Sequence, residues 1–172
     1  MKGLYIVLPV IVLLHAPALA QQNARDMNKE LIETTIRTLF HAVDARKWDE
    51  VKHCFADTVL VDFTSMNGGS PQRLTAEQIV KNWSVFLPGF DRTKHRVFDF
   101  HIKIEGEKGS AHYSGVAEHF LDNAIWTVTA GYDAELIFRD GRWQIRLHKL
   151  NLESQSGNTG LPQKAAERIS RQ

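Results

Sequence analysis

The chain has 172 residues, 43% of them hydrophobic, with 21 Lys and Arg against 20 Asp and Glu and a single cysteine, Cys54. A near-neutral balance without a basic run excludes nucleic acid and anionic membrane as electrostatic partners. One thiol excludes a disulfide-stapled mini-fold, so a packed core must hold the domain, and Cys54, with no CxxC partner, reads as a small apolar packing residue.

Residues 1–20, MKGLYIVLPVIVLLHAPALA, combine a positive Lys2, a short apolar run and a small-x-small ending at Ala18-Leu19-Ala20. This is the pattern of a cleaved export signal, which places the protein in the periplasm or outside the cell. Cleavage after Ala20 removes Lys2 and leaves a chain of zero net charge. Residues 21–27 are polar and are expected to be flexible. From Asn28, apolar residues at Leu31, Ile32, Ile36, Leu39, Phe40 and Val43 follow a 3.6-residue period, which predicts an amphipathic helix. RKWDEVKHCFAD predicts a second, short helix and TVLVDF a strand, while TSMNGGSPQ has loop composition. Thr75 and Gln78 form a capping-box pattern ahead of AEQIVKNWSVFL, and Pro88 ends that helix.

After Thr93 the period changes to two. HRVFDFHIKIEG, SAHYSGVAEHFL, IWTVTAGYDAELIFR and RWQIRLHKLNL predict long antiparallel strands, with Asp140-Gly141 as a hairpin turn. Inward positions are expected at Phe98, Phe100, Ile102 and Ile104, then at Tyr113 and Ala117, and finally at Trp143, Ile145 and Leu147. His95 has the opposite parity to Phe98, so the first long strand requires either a bulge or two covered faces. Gly115 and Gly131 suggest bends or bulges. Residues 28–152 therefore form one α+β domain, a curved antiparallel sheet wrapped around N-terminal helices and enclosing a cavity for a small ligand. Residues 153–172 form a polar C-terminal tail with a weak helical pattern.

The order of these segments resembles the SnoaL-like branch of the nuclear transport factor two-like superfamily, whose fold is a cone-shaped α+β sheet. The resemblance rests on AVDARKWDEVKHCFADTVLVDF, RTKHRVFDFHIKIEGE, AEHF, GYDAEL and DGRWQI taken together. It is nearest to the scytalone dehydratase-like group, which uses an Asp and two His in a closed apolar pocket. The resemblance implies a catalytic set of Asp44, His95 and His119, with Tyr132, Trp126, Phe63 and Trp83 against the substrate. It also implies a lyase or isomerase-type reaction on a small apolar, cyclic molecule without a cofactor, and a homodimer through the outer sheet face. Two family tyrosines are replaced, by Val43 and Phe63, which removes two hydroxyl donors.

Three readings stay open. Asp44 either caps the short second helix or faces the cavity and fixes a histidine tautomer. Asp44, His95 and His119 have the types of a metal triad, although no HExxH or His-x-His spacing accompanies them. The domain is either an enzyme, including one with a dehydrohalogenase-like Asp–His dyad, or a non-catalytic ligand-binding or dimerisation module, since fold does not fix function. His41, His53, His101, His112 and His148 are expected at the surface.

Overall fold

The computed structural model describes residues 16–171, so most of the proposed export signal lies outside the described residues. Helix α1 (Ala16–Asp44) runs through residues 21–27, expected to be loose, as exposed helical turns before its amphipathic part. Ile32, Ile36 and Leu39 are fully buried on its inner face, each contributing about 1.5–3 kcal/mol by leaving water. Leu31, expected in that stripe, is half exposed instead.

Helix α2 (Trp48–His53) leads into strand β1 (Phe55–Asp62). The loop-like stretch after β1 holds two short elements, a single helical turn α3 (Thr64–Asn67) and strand β2 (Gln72–Thr75). Helix α4 (Ala76–Phe86) starts with the expected capping box. The Gln78 N–H donates to Thr75 Oγ1 at 3.2 Å, and the Thr75 N–H donates to Gln78 Oε1 at 2.9 Å. A 3₁₀ turn containing Pro88 ends it.

Four long strands follow: β3 (Arg92–Glu105), β4 (Lys108–Leu121), β5 (Ala124–Arg139) and β6 (Arg142–Gly157). The six strands form one unclosed sheet in the order β2-β1-β6-β5-β4-β3. Every pairing is antiparallel except that of β1 with β6, which is parallel. Asp140 and Gly141 both have positive φ, 54° and 76°, as the two-residue turn between β5 and β6 demands. Helix α1 and α4 close the concave face, so the core lies between helices and sheet.

Bulges curve the sheet, but not at Gly115. The β3–β4 register slips between Phe98 and His101, and Asp99 there has φ 55°. This reverses the strand's parity: His95 and Val97 point inward before the bulge, and Phe100, Ile102 and Ile104 after it. Phe98, expected inward, is 41% exposed. Gly115 keeps regular pairing with Val97 and Ala130 and serves a different purpose. A Cβ there would lie 2.8 Å from Tyr132 Cε2, so the glycine leaves room for that ring.

The tail is part of the fold. Helix α5 (Leu161–Ser170) buries Leu161 and Ala165 against the 3₁₀ turn. The contact is close enough that a Cβ on Gly89 would stand 2.4 Å from the Ala165 carbonyl oxygen. Arg168 adds an ion pair to Asp91 at 2.6 Å.

Candidate active site

Asp44 is the last residue of α1, and the chain turns there through a Schellman closure. The Lys47 N–H donates to the Ala42 carbonyl at 2.8 Å, the Arg46 N–H to Val43 at 3.0 Å, and Arg46 takes φ 55°. The N-cap of α2 is Lys47, with no side-chain cap, so Asp44 does not cap that helix. Its carboxylate turns to β3. Oδ2 accepts the His95 backbone N–H at 2.7 Å, and Oδ1 accepts from Thr93 Oγ1 at 2.8 Å and from His95 Nδ1 at 2.6 Å. Burial and the C-terminal end of the α1 dipole both disfavour the charge. The bonds from His95 and its electrostatic influence, with the Thr93 hydroxyl, outweigh burial and hold the carboxyl below its ordinary value.

Because Asp44 engages Nδ1, His95 presents Nε2 to the cavity. Across the β3–β4 ladder His95 faces Ala117, whose small side chain leaves space in front of the imidazole. His119, two residues further along β4, lies edge-on to His95 with ring centroids 5.9 Å apart. It is packed between Phe90 at 4.9 Å and Trp126 at 4.5 Å. Burial, then the neighbouring His95, pushes its pKa down to about 4, so His119 is a neutral imidazole at neutral pH. Trp126 is fixed in turn, its Nε1–H donating to Gln155 Oε1 at 2.8 Å.

His148, expected at the surface, is 1% exposed. The cause is a second bulge. The β5–β6 register passes from Leu136↔Ile145 to Glu135↔Leu147, which leaves Arg146 unpaired and reverses parity along β6. Trp143 and Ile145 point inward as expected, but Leu147 turns outward, and His148 and Leu150 turn in. A signal was present in the sequence, since Leu150 and Leu152 share parity with His148 and not with Ile145.

These groups line a cavity of about 510 Å³, a volume suited to a small organic molecule. All the expected ligand contacts, Tyr132, Trp126, Phe63 and Trp83, are on its wall with His95 and His119. The expectations missed Phe40, Met66, Gln155 and the α5 residue Pro162, which also line it. Among the described residues, no Lys, Arg, Asp or Glu side chain lines the cavity directly; Asp44 stands behind His95. Val43 and Phe63 present apolar surface where the resembled family carries tyrosines. Among the described residues, no group of three or more His, Cys, Asp or Glu side chains is placed to hold a metal ion. No helix among them is long and apolar enough to cross a membrane. Cys54 is buried, and burial pushes its thiol up to about 12, as suits a packing residue.

A curved, unclosed sheet around helices is the nuclear transport factor two-like α+β fold, and here it encloses an apolar cavity with an Asp–His pair and a second His. Residues 28–149 match the family model of the SnoaL-like domain, and the chain belongs to that family. Among solved structures it is similar to the Kfla4162 protein from Kribbella flavida, with a TM-score of 0.77 and 20% identity over 81% of this chain and 99% of that one. It is similar to a protein from Novosphingobium aromaticivorans provisionally assigned as a scytalone dehydratase, with a TM-score of 0.70 and 14% identity over 78% and 90% of the two chains. It also resembles the type 3 hexachlorocyclohexane dehydrochlorinase LinA from Novosphingobium barchaimii, with a TM-score of 0.65 and 17% identity over 79% and 93%. Comparison with curated proteins finds no match.

Proposed function

We propose that this protein is a cofactor-independent lyase or isomerase-type enzyme that removes a proton next to a carbonyl in a small, uncharged, cyclic molecule. The observation that carries this reading is the 2.6 Å bond between Asp44 Oδ1 and His95 Nδ1 at the wall of an apolar cavity. Asp44, kept ionised, accepts a hydrogen bond from Nδ1–H and leaves the Nε2 lone pair to take a proton from substrate carbon. The C–H electron pair moves onto the carbonyl as an enolate, and Asp44 stabilises the imidazolium that forms. His119, neutral, donates a hydrogen bond to the oxygen that gains charge. In an isomerisation the His95 proton returns to another carbon. In a dehydration it leaves with the β-hydroxyl as water. A lining without Lys, Arg or exposed carboxylate favours a neutral substrate over an anion or a cation.

Exchange of α-protons of a panel of cyclic ketones and hydroxy-ketones in D₂O, followed by NMR, tests this. The wild type is expected to accelerate exchange and His95→Ala to abolish that acceleration. Equal exchange by both removes His95 from the mechanism.

A second reading is a non-catalytic small-ligand carrier, favoured by the apolar Val43 and Phe63 on the cavity wall. It predicts binding of apolar cyclic molecules with no exchange or turnover. We further propose that residues 1–20 direct export and are removed, which the N-terminal mass of protein recovered outside the cytoplasm checks. Pairing of two copies through the outer sheet face is expected to give a dimer in sedimentation velocity; a monomer at micromolar concentration rejects it.

A further inference from the structure

We infer that His148 is a further ligand-positioning residue, whose Nε2 holds an oxygen of the bound molecule on the side of the cavity away from His95. This rests on the cavity being a ligand site, as proposed above, but not on any reaction taking place there.

His148 lies on β6, at the centre of the sheet, opposite Ala134 on β5 and Val61 on β1. The bulge at Arg146 is what brings it inward. Its imidazole is surrounded by aromatic rings, with Phe63 at 5.5 Å, Tyr132 stacked at 5.7 Å, Phe40 at 6.0 Å and Trp83 at 6.5 Å between centroids. Among the described residues, no carboxylate or carbonyl engages it. Nδ1 is sealed from solvent with no hydrogen-bond partner, and Nε2 makes no bond to the protein among the described residues. His148 lines the cavity, and Nε2, unlike Nδ1, is not one of its sealed and unpartnered atoms, so we take Nε2 as the nitrogen that faces the ligand.

A fully buried polar ring without a protein partner is a cost that Leu or Phe would avoid. A ligand that supplies the partner explains it. Burial, then the neighbouring His95, pushes the group down to about 4, which keeps it neutral. A sealed N–H is rarer than a sealed acceptor, so we assign the proton to Nε2, where it serves as a donor. His148 adjoins Phe63, one of the two positions where the resembled family carries a tyrosine hydroxyl. The geometry thus restores a donor to that part of the wall. Phe40 stands between the two imidazoles, 5.2 Å from His95 and 6.0 Å from His148. The ligand class is a flat, neutral, mostly apolar ring system carrying a carbonyl-type oxygen.

The test compares 2-tetralone with its hydrocarbon counterpart tetralin, using the wild type, His148→Phe, His148→Gln and His95→Ala. The wild type is expected to bind 2-tetralone more tightly than tetralin, and His148→Phe to reduce that preference about tenfold, the worth of one neutral hydrogen bond. The infrared C=O stretch of bound 2-tetralone is expected to be lowered in the wild type and in His95→Ala. In His148→Phe that lowering should shrink, with only the His119 bond left to the oxygen, and His148→Gln should restore part of it. The ligand-free melting temperature of His148→Phe is expected to equal or exceed that of the wild type, whereas a merely structural role predicts a fall. No preference for the ketone in the wild type, or a preference and stretch unchanged in His148→Phe, overturns the inference. Absent α-proton exchange with a His148-dependent preference sinks the proposed reaction and leaves this inference standing.

Discussion

The Asp44 carboxylate grips His95 twice, accepting its backbone N–H at 2.7 Å on one oxygen and its ring Nδ1 at 2.6 Å on the other. The first bond fixes the start of β3 against the end of α1, and the second fixes the imidazole on that strand. Position and tautomer are therefore set by one side chain, which is the requirement for a proton acceptor held ready before substrate arrives.

Asp44→Asn keeps the shape and reverses part of the hydrogen bonding. An amide N–H facing Nδ1 places the histidine proton on Nε2, where it blocks proton abstraction. Turnover or α-proton exchange is expected to fall by about 10²–10⁴-fold, with circular dichroism unchanged. A variant that exchanges at the wild-type rate removes Asp44 from any tautomer-fixing role.

Stability is expected to depend on pH through the two neutral histidines. Burial holds His119 and His148 at about 4, against 6.5 for an exposed imidazole. Between these values the unfolded chain binds more protons than the folded one. The stabilising contribution is thus complete above about 6.5 and is lost as pH falls toward 4, on the order of 3 kcal/mol per group. The depressed Asp44 acts lower, its contribution present above 3.8 and lost as pH falls through its folded value. Thermal melts across pH 4–7 should show the fall, and His148→Phe should flatten it.

Gly115→Ala sets a methyl 2.8 Å from Tyr132 Cε2 and 3.3 Å from Val97 Cγ1. Overpacking of this kind costs about 1–3 kcal/mol. Urea denaturation should show the loss, and most of it should disappear when Tyr132→Leu is added, since the two positions share one space. An additive double variant would show that the glycine is needed for its backbone instead.

Helix α5 is expected to hold the cavity mouth by packing more than by charge. Ala165→Leu, at a fully buried contact with the turn at Gly89, should cost about 1–3 kcal/mol and weaken ligand binding through the displaced Pro162. Arg168→Ala breaks an ion pair whose partners are each 42% exposed and should cost less than Ala165→Leu, because solvent screens the pair. Chemical denaturation and 2-tetralone binding measured on both variants check the ranking.

The sequence by itself determined the class of fold. Helical periodicity from Asn28 to Asp44, the capping box at Thr75 and the long alternations after Thr93 are local patterns, and each formed as its spacing dictates. The pairing of Asp44 with His95 was implied by the resemblance to the SnoaL-like family, since the residues alone left Asp44 open between capping α2 and facing the cavity. Only tertiary structure decided which face each strand turns to the cavity. A strand has a period of two, so one extra residue reverses everything beyond it. The bulge near Asp99 let His95 and Phe100 share the inner face, and the bulge at Arg146 turned His148 from an expected surface residue into a buried cavity group. The same holds for α5, whose polar composition concealed the close approach of Ala165 to Gly89. Local propensity cannot carry that information, because strand register and close backbone approach are set by partners distant in the chain.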